Sequence, residues 1–204
     1  MPVPTVLNIS VLVLFIFGVS VLFTSAQSRI VIPTMDEDRE TDYFPAVSGN
    51  NINGDTYMLP QDFAGDYNVV LLAFDQVHQR LVETWIPTLR DLELENELIR
   101  IYEVPTLPEY DPVTRFTTDL AMSGGIQEEL ARETTITLYT NLALMQEAIG
   151  FETTDTIHII LVDSEGEVYW QTSGAYTDAK YESLTEVLTQ LQADTIPNME
   201  DNDA

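Results

Sequence analysis

Apolar strand-like runs alternate with amphipathic helical stretches and end in a β-hairpin and a closing helix. This order predicts an α/β protein, a three-layer sandwich around a mixed central sheet, preceded by an apolar N-terminal helix. Three observations carry the prediction. Asn68–Phe74 (NVVLLAF) is apolar without alternation, as in a strand buried on both faces of a parallel sheet. Leu81, Val82, Trp85, Leu89 and Leu92 recur at helical steps and draw one stripe along Val77–Asn96. Thr156–Val162 (TIHIILV), the turn Asp163-Ser164-Glu165-Gly166 and Glu167–Gln171 read as a strand returning antiparallel on itself.

The other elements follow in chain order. Thr56–Leu59 is a short strand before Pro60. Pro87 lies inside the first helix and predicts a kink or break near Trp85, because proline lacks the amide a helix interior needs. Leu98–Val104 is a strand closed by Pro105, and 106–113 is a loop with Pro108 and Pro112. Thr114–Glu133 is helical around a break at Gly124-Gly125. Thr135–Thr140 (TITLYT) is rich in β-branched residues and reads as a strand. Leu142–Ile149 is a short helix, with Asn141 as N-cap and Gly150 in the C-terminal capping place. Asp178–Gln192 closes the chain as an amphipathic helix, with Tyr181, Leu184, Val187, Leu188 and Leu191 on one face.

The flanks differ in kind from this body. Val6–Phe23 (VLNISVLVLFIFGVSVLF) carries no charge, and eighteen residues as a helix rise ~27 Å, near the thickness of a bilayer's hydrocarbon core. Thr24-Ser25-Ala26 offers small residues for a signal peptidase, yet no Lys or Arg precedes the apolar run. Residues 1–26 are therefore read as a signal peptide or a membrane anchor, and the domain as exported, periplasmic or extracytoplasmic, membrane-attached through residues 6–23 if these are not cleaved. MDEDRETD (Met35–Asp42) is a charge run and SGNNING (Ser48–Gly54) is turn-rich, so 27–55 is expected to be an acidic flexible linker. The folded domain then spans 56–192, and 193–204 is expected to be a disordered acidic tail.

Charge excludes some functions. Asp and Glu number 34 against 8 Lys and Arg, a net charge of −26 that repels nucleic acid and anionic membrane surfaces. Adaptation to a salty milieu and a docking face for a basic partner both account for the acidity. Its spread along the chain favours the first. The chain has no cysteine, which excludes disulfides and thiolate metal sites. HExxH, Walker, GxSxG and EF-hand spacings are absent, so no metal or cofactor is expected.

Two stretches carry a family likeness. TYMLPQDFAGDYNVVLLAF (Thr56–Phe74) and IHIILVDSEGEVYWQTSGAY (Ile157–Tyr176) resemble the peroxiredoxin-like branch of the thioredoxin-like superfamily, across residues 56–192. FDQVHQRLVETWIP (Phe74–Pro87) and LVDSEGEVYW (Leu161–Trp170) are similar to the ATP synthase assembly factors that carry a thioredoxin-like domain. In redox members a cysteine opens the helix after the first core strand, where helix amides lower its pKa. Here that stretch is Gln76–Val82, without a cysteine. The resemblance also implies a cis-proline before the late strand, where this chain has Ile157-His158. It thus implies the scaffold without thiol chemistry: a non-catalytic thioredoxin-like module for protein interaction or complex assembly, with an unidentified protein partner. The alternative is an enzyme or small-molecule binder using the degenerate cleft.

The candidate contact surface is Gln76, His78, Gln79, Arg80 and Trp85, at the tip of the first helix where relatives meet their substrates. His78 reads either as a general base or ligand-binding group or, preferred, as a solvated polar residue at a helix terminus. His158, among apolar strand neighbours, reads as a hydrogen-bonded, partly buried histidine. Trp85 and Trp170 are also the residue type of a core or its rim. Asp163 has a structural role open to it, accepting amides in the turn before Gly166. The many paired carboxylates, such as Glu128-Glu129, read as solvated faces, and no catalytic residue is assigned.

Overall fold

A run of apolar residues with no polar alternation folds stably as a strand only if both of its faces are covered, and the architecture is arranged around that need. The computed structural model describes residues 42–195. Its elements run β1 (Val47–Asn51), β2 (Thr56–Leu59), β3 (Tyr67–Ala73), a 3-10 turn (Gln76–His78), α1 (Gln79–Glu95), β4 (Ile99–Leu107), α2 (Pro112–Gly125), α3 (Glu129–Thr134), β5 (Ile136–Tyr139), α4 (Leu142–Ile149), β6 (His158–Val162), β7 (Val168–Ser173) and α5 (Asp178–Thr195). One sheet of seven strands has the order β2-β1-β5-β4-β3-β6-β7. β3, β4 and β5 are parallel, joined by helical crossovers, while β6, β7 and the β1–β2 hairpin run antiparallel to their neighbours.

The core divides at the sheet. On one face Val82, Trp85 and Leu89 of α1 and Leu184 and Leu188 of α5 pack on Val69, Leu71, Ile101 and Ile159. On the other, Met145 and Ile149 of α4 join Phe44, Phe63 and Phe151 over Val70, Leu72, Tyr102 and Ile160. This is the expected three-layer sandwich with a mixed sheet. The expected apolar helix at 6–23 and the remainder of 1–41 and 196–204 lie outside the described residues. No helix among the described residues is long and apolar enough to cross a membrane.

Four expectations are corrected. The linker expected over 27–55 is part of the fold from residue 42 onward. Phe44 N donates to Gly166 O at 2.8 Å, Val168 N to Asp42 O at 3.1 Å, and Val47–Asn51 pairs with both β2 and β5. Sequence patterning misses β1 because its inward positions are Gly49 and Asn51, which are not apolar. Gly49 is required by crowding, since a Cβ there would stand 2.6 Å from Leu138 Cδ2 and 2.7 Å from Thr137 O. Asn51 is buried as the acceptor for the turn amides of Asn53 and Asp55.

Of the kink or break expected near Trp85, the break is excluded, since α1 is continuous from Gln79 to Glu95 with Pro87 inside it. Pro87 and Glu83 are both exposed, so this turn of the helix lies on its solvent side. Pro105 does not close β4, which continues to Leu107. Pro105 stands opposite Ala73, the last paired residue of β3, and Thr106 and Leu107 then pair with β5. Finally, α5 runs to Thr195, past the domain end expected at 192. By contrast, α4 has the expected bounds, with Asn141 accepting from Ala143 N and Gly150 left-handed at φ 81°.

Gly49→Ala is expected to cost about 1–3 kcal/mol through overpacking of β1 against β5, read as a lowered urea midpoint with unchanged slope.

Candidate functional site

The stretch after β3 builds the tip of α1. Asp75 is extended (φ −147°) and its Oδ1 accepts from Val77 N at 2.9 Å, capping the 3-10 turn. Helix-start amides are what would stabilise an anion, and here the chain's own carboxylate takes that place. His78 then turns inward. It is 4% exposed, and its Nδ1 accepts from Phe74 N at 3.2 Å, so Nε2 carries the ring proton. The preferred expectation of a solvated histidine is therefore corrected: a side chain whose ring closes back on the amide four residues earlier is carried under the turn.

The fold also joins the two histidines, which are far apart in sequence. Phe74 meets His78 edge-on at 6.4 Å and His158 at 6.0 Å, and Phe151 stacks on His158 at 4.5 Å. His158 Nε2 lies 2.8 Å from Thr153 O, which accepts only, so Nε2 is the protonated nitrogen. Burial holds His158 below the usual histidine range. The Thr153 carbonyl pulls it back up, and the neighbouring His78 adds to the depression. None of the four rings is more than 8% exposed. They fill the space between the α1 tip and the start of β6. The cis peptide of the described chain is elsewhere, at Leu59–Pro60, and not before β6.

The other candidate residues separate into two groups. Gln76, Gln79 and Arg80 are exposed, beside Val77, which is 61% exposed. Trp85 is fully buried and cannot be part of a contact surface; its Nε1 donates to Gly174 O at 2.9 Å. That bond locks the loop after β7 onto α1, with Tyr176 N donating to Thr84 Oγ1 at 2.9 Å. Beneath the same loop lies Lys180, the chain's single lysine, 3% exposed, its Nζ donating to Ser173 O and Ala175 O at 2.7 Å each. Burial lowers its pKa. Asp163 does what its turn predicts, accepting on Oδ1 from the amides of Glu165, Gly166 and Glu167 at 2.8–3.0 Å.

One charged group escaped the sequence reading. Glu103 lies mid-strand in β4 facing α1, where burial pushes its carboxyl above the usual carboxylate range. Arg90 nearby and a hydrogen bond from Gln79 oppose that shift. Arg90 is itself tied to Glu93 at 2.6 Å and to Thr134 Oγ1 at 3.0 Å. A glutamate between Tyr102 and Val104 in the strand IRIYEVPTL was the visible signal. The tip of α1 is thus a polar surface anchored from below at Gln79, not an open cleft. Cavities are found elsewhere, one of about 160 Å3 by Ser48, Arg115, Asp119 and Tyr139, and one of about 260 Å3 by Asn51–Gly54, Phe116 and Leu120. Among the described residues no group of three His, Cys, Asp or Glu is placed to hold a metal ion.

This architecture is that of a thioredoxin-like protein. Solved structures agree. A protein assigned to electron transfer from Aquifex aeolicus VF5 matches with a TM-score of 0.50 at 11% identity over 72% of this chain and 95% of its own. BsSco, a member of the Sco family of cytochrome c oxidase assembly proteins, matches with a TM-score of 0.50 at 14% identity over 74% and 95%. At these identities the likeness establishes fold alone. Comparison with curated proteins returned no match. The sequence profile of the ATP10 protein family matches residues 23–191, and the chain belongs to that family.

Two substitutions test the chemistry under the α1 tip. Lys180→Met leaves two loop carbonyls without their donor and should cost about 2 kcal/mol, seen as a lower melting temperature. Glu103→Gln tests the raised carboxyl. The folded state keeps a proton that the unfolded chain releases, so Glu103 costs stability as pH rises above the carboxylate's ordinary value. Urea midpoints of wild type and Glu103→Gln should therefore be close at pH 4 and diverge in the variant's favour toward neutral pH.

Proposed function

We propose that this chain is a non-catalytic thioredoxin-like module that serves complex assembly, with the ATP synthase as the complex its family resemblance indicates. It acts across or at a membrane, exported or tethered through residues 6–23, and performs no thiol redox chemistry. The observation that carries the reading is the packed ring cluster of Phe74, His78, Phe151 and His158, which closes the stretch Gln76–Val82 where the resemblance would place a cysteine. A site that is filled and capped by its own carboxylate supports contact with a protein surface better than turnover of a small substrate.

The contact surface is the exposed tip of α1: Gln76, Val77, Gln79 and Arg80. Charge supports this choice. Lys180, Arg90, Arg100, Arg115 and Arg132 each donate to acceptors of the same chain. Arg80 is an exposed cation beside the exposed apolar Val77. The alternative of a ligand site built from His78, Gln79 and Arg80 finds less support, because His78 is buried with Nδ1 already engaged.

Photo-crosslinking from position 79 in intact cells should join the chain to a specific subunit or assembly intermediate. Val77→Asp with Arg80→Glu should abolish that adduct without changing the melting temperature. The purified protein should consume hydroperoxide no faster than buffer, and mass measurement of the mature N-terminus separates release from tethering. Absence of any specific adduct from the wild-type chain overturns the reading.

A further inference from the structure

The structure points to a second contact surface, on α2. A surface helix ordinarily turns its apolar stripe to the core and its polar face to water. α2 is mounted the other way round. Val113, Phe116 and Leu120, at positions i, i+3 and i+7, form one stripe and are 71%, 66% and 61% exposed. The opposite face, with Thr114, Thr118 and Ala121, is the one partly covered, and no residue of the helix is buried.

Polar bonds, not apolar burial, hold this helix in place. Asp111 caps its start, accepting from Val113 N and Thr114 N. Arg115 lies over the Tyr139 ring at 4.4 Å, and Tyr139 Oη donates to Asp119 Oδ1 at 2.7 Å. Arg132 clamps the far end, donating to Ser123 O, Ile126 O, Ile52 O and Asn53 Oδ1 at 2.7–3.1 Å. Such fastening orients a helix while leaving its apolar side outward. Beside the stripe the cavity of about 260 Å3 separates Phe116 and Leu120 from the β1–β2 turn, with room for an inserted side chain.

We propose that this face docks an apolar helix of a partner protein that carries lysine or arginine beside its apolar stretch. The proposal rests on the complex-assembly reading and names the chemistry of the partner. Spacing argues for a helix, since a ridge of i, i+3 and i+7 side chains, roughly 10 Å long, packs against the ridges of another helix. Charge fixes its flanks. Glu109, Asp111, Asp119, Glu128 and Glu129 are exposed around the stripe, against one exposed cation, Arg115, which is held over the Tyr139 ring, and the half-buried Arg132, which donates to backbone carbonyls. A basic-flanked apolar helix satisfies both the stripe and its acidic rim, whereas an anionic lipid surface is repelled by the same carboxylates.

The test uses the full chain and two synthetic helical peptides with the same leucine-alanine stretch, one flanked by lysines and one by glutamates. The lysine-flanked peptide should bind with an affinity that falls as salt rises. Phe116→Ser with Leu120→Ser should weaken binding by about tenfold or more while leaving the melting temperature unchanged. Equal binding of both peptides, or of wild type and variant, overturns the proposal. In intact cells, a photo-crosslinker at position 116 should mark a basic-flanked apolar segment of another protein, identified by the sequence of the adduct peptide. Adducts only to lipid, to a second copy, to residues 6–23 of the same chain, or to nothing also overturn it. A crosslinker at position 79 reports the α1 tip separately. Partner adducts from 79 with none from 116 sink the α2 surface alone, and the reverse result sinks the α1 reading alone.

Discussion

Everything in this fold answers to the burial of β3 on both faces. Asn68–Leu72 are all buried, so neither side of the strand can meet water and each needs its own layer. α1 and α5 supply one layer. The other is a composite of α4, Phe63 and the segment at 42–44, which ties to the β6–β7 hairpin before the chain passes to β1. Asn68 shows how strict the demand is. Its side chain, without solvent contact, makes bonds at 2.9 Å to both Gly65 N and Gly65 O, and a third to Val162 O at 3.2 Å. The packing continues past the end of the strand into Phe74 and from there into both histidines. The stretch at the tip of α1 is therefore a continuation of the core.

How much of this was legible in sequence depended on whether a position's environment follows from its own residue type. β3, β6 and α4 were legible because apolar runs, β-branched residues and an Asn–Gly pair of caps each state their context locally. β1 was not, because Gly49 is selected by the closeness of Leu138 and Asn51 by a turn, two conditions set by distant residues. The two prolines misled for a related reason. Each removes a donor, but one does so on the solvent side of its helix and the other where the neighbouring strand ends. The cost of a missing amide belongs to its surroundings, and a sequence does not display them.

The site repeats the lesson. His158 was read correctly from apolar neighbours on both sides. His78 has polar neighbours on both sides, and its ring is buried nonetheless, because the 3-10 turn points it back at the Phe74 amide. Trp85, grouped by sequence with the exposed tip, belongs to the core through its bond to Gly174. Sequence proximity thus grouped the exposed Gln76, Gln79 and Arg80 with two residues that the local geometry sends inward.

The same helical geometry, working in the opposite sense, separates the two surfaces of this protein. α1 was identifiable because its stripe faces the core and leaves polar residues at its tip. α2 has a stripe of comparable regularity, and the natural inference from periodicity is that it too faces inward. It does not, because the ground beneath it is already polar: Tyr139 and the hairpin turn present a hydroxyl and carbonyls to which Arg115, Asp119 and Arg132 are matched. An apolar face laid on that ground would leave them without partners, which costs more than exposing three side chains. The polarity of the sheet's edge, decided by β5 and the β1–β2 turn, therefore determines which side of α2 faces solvent.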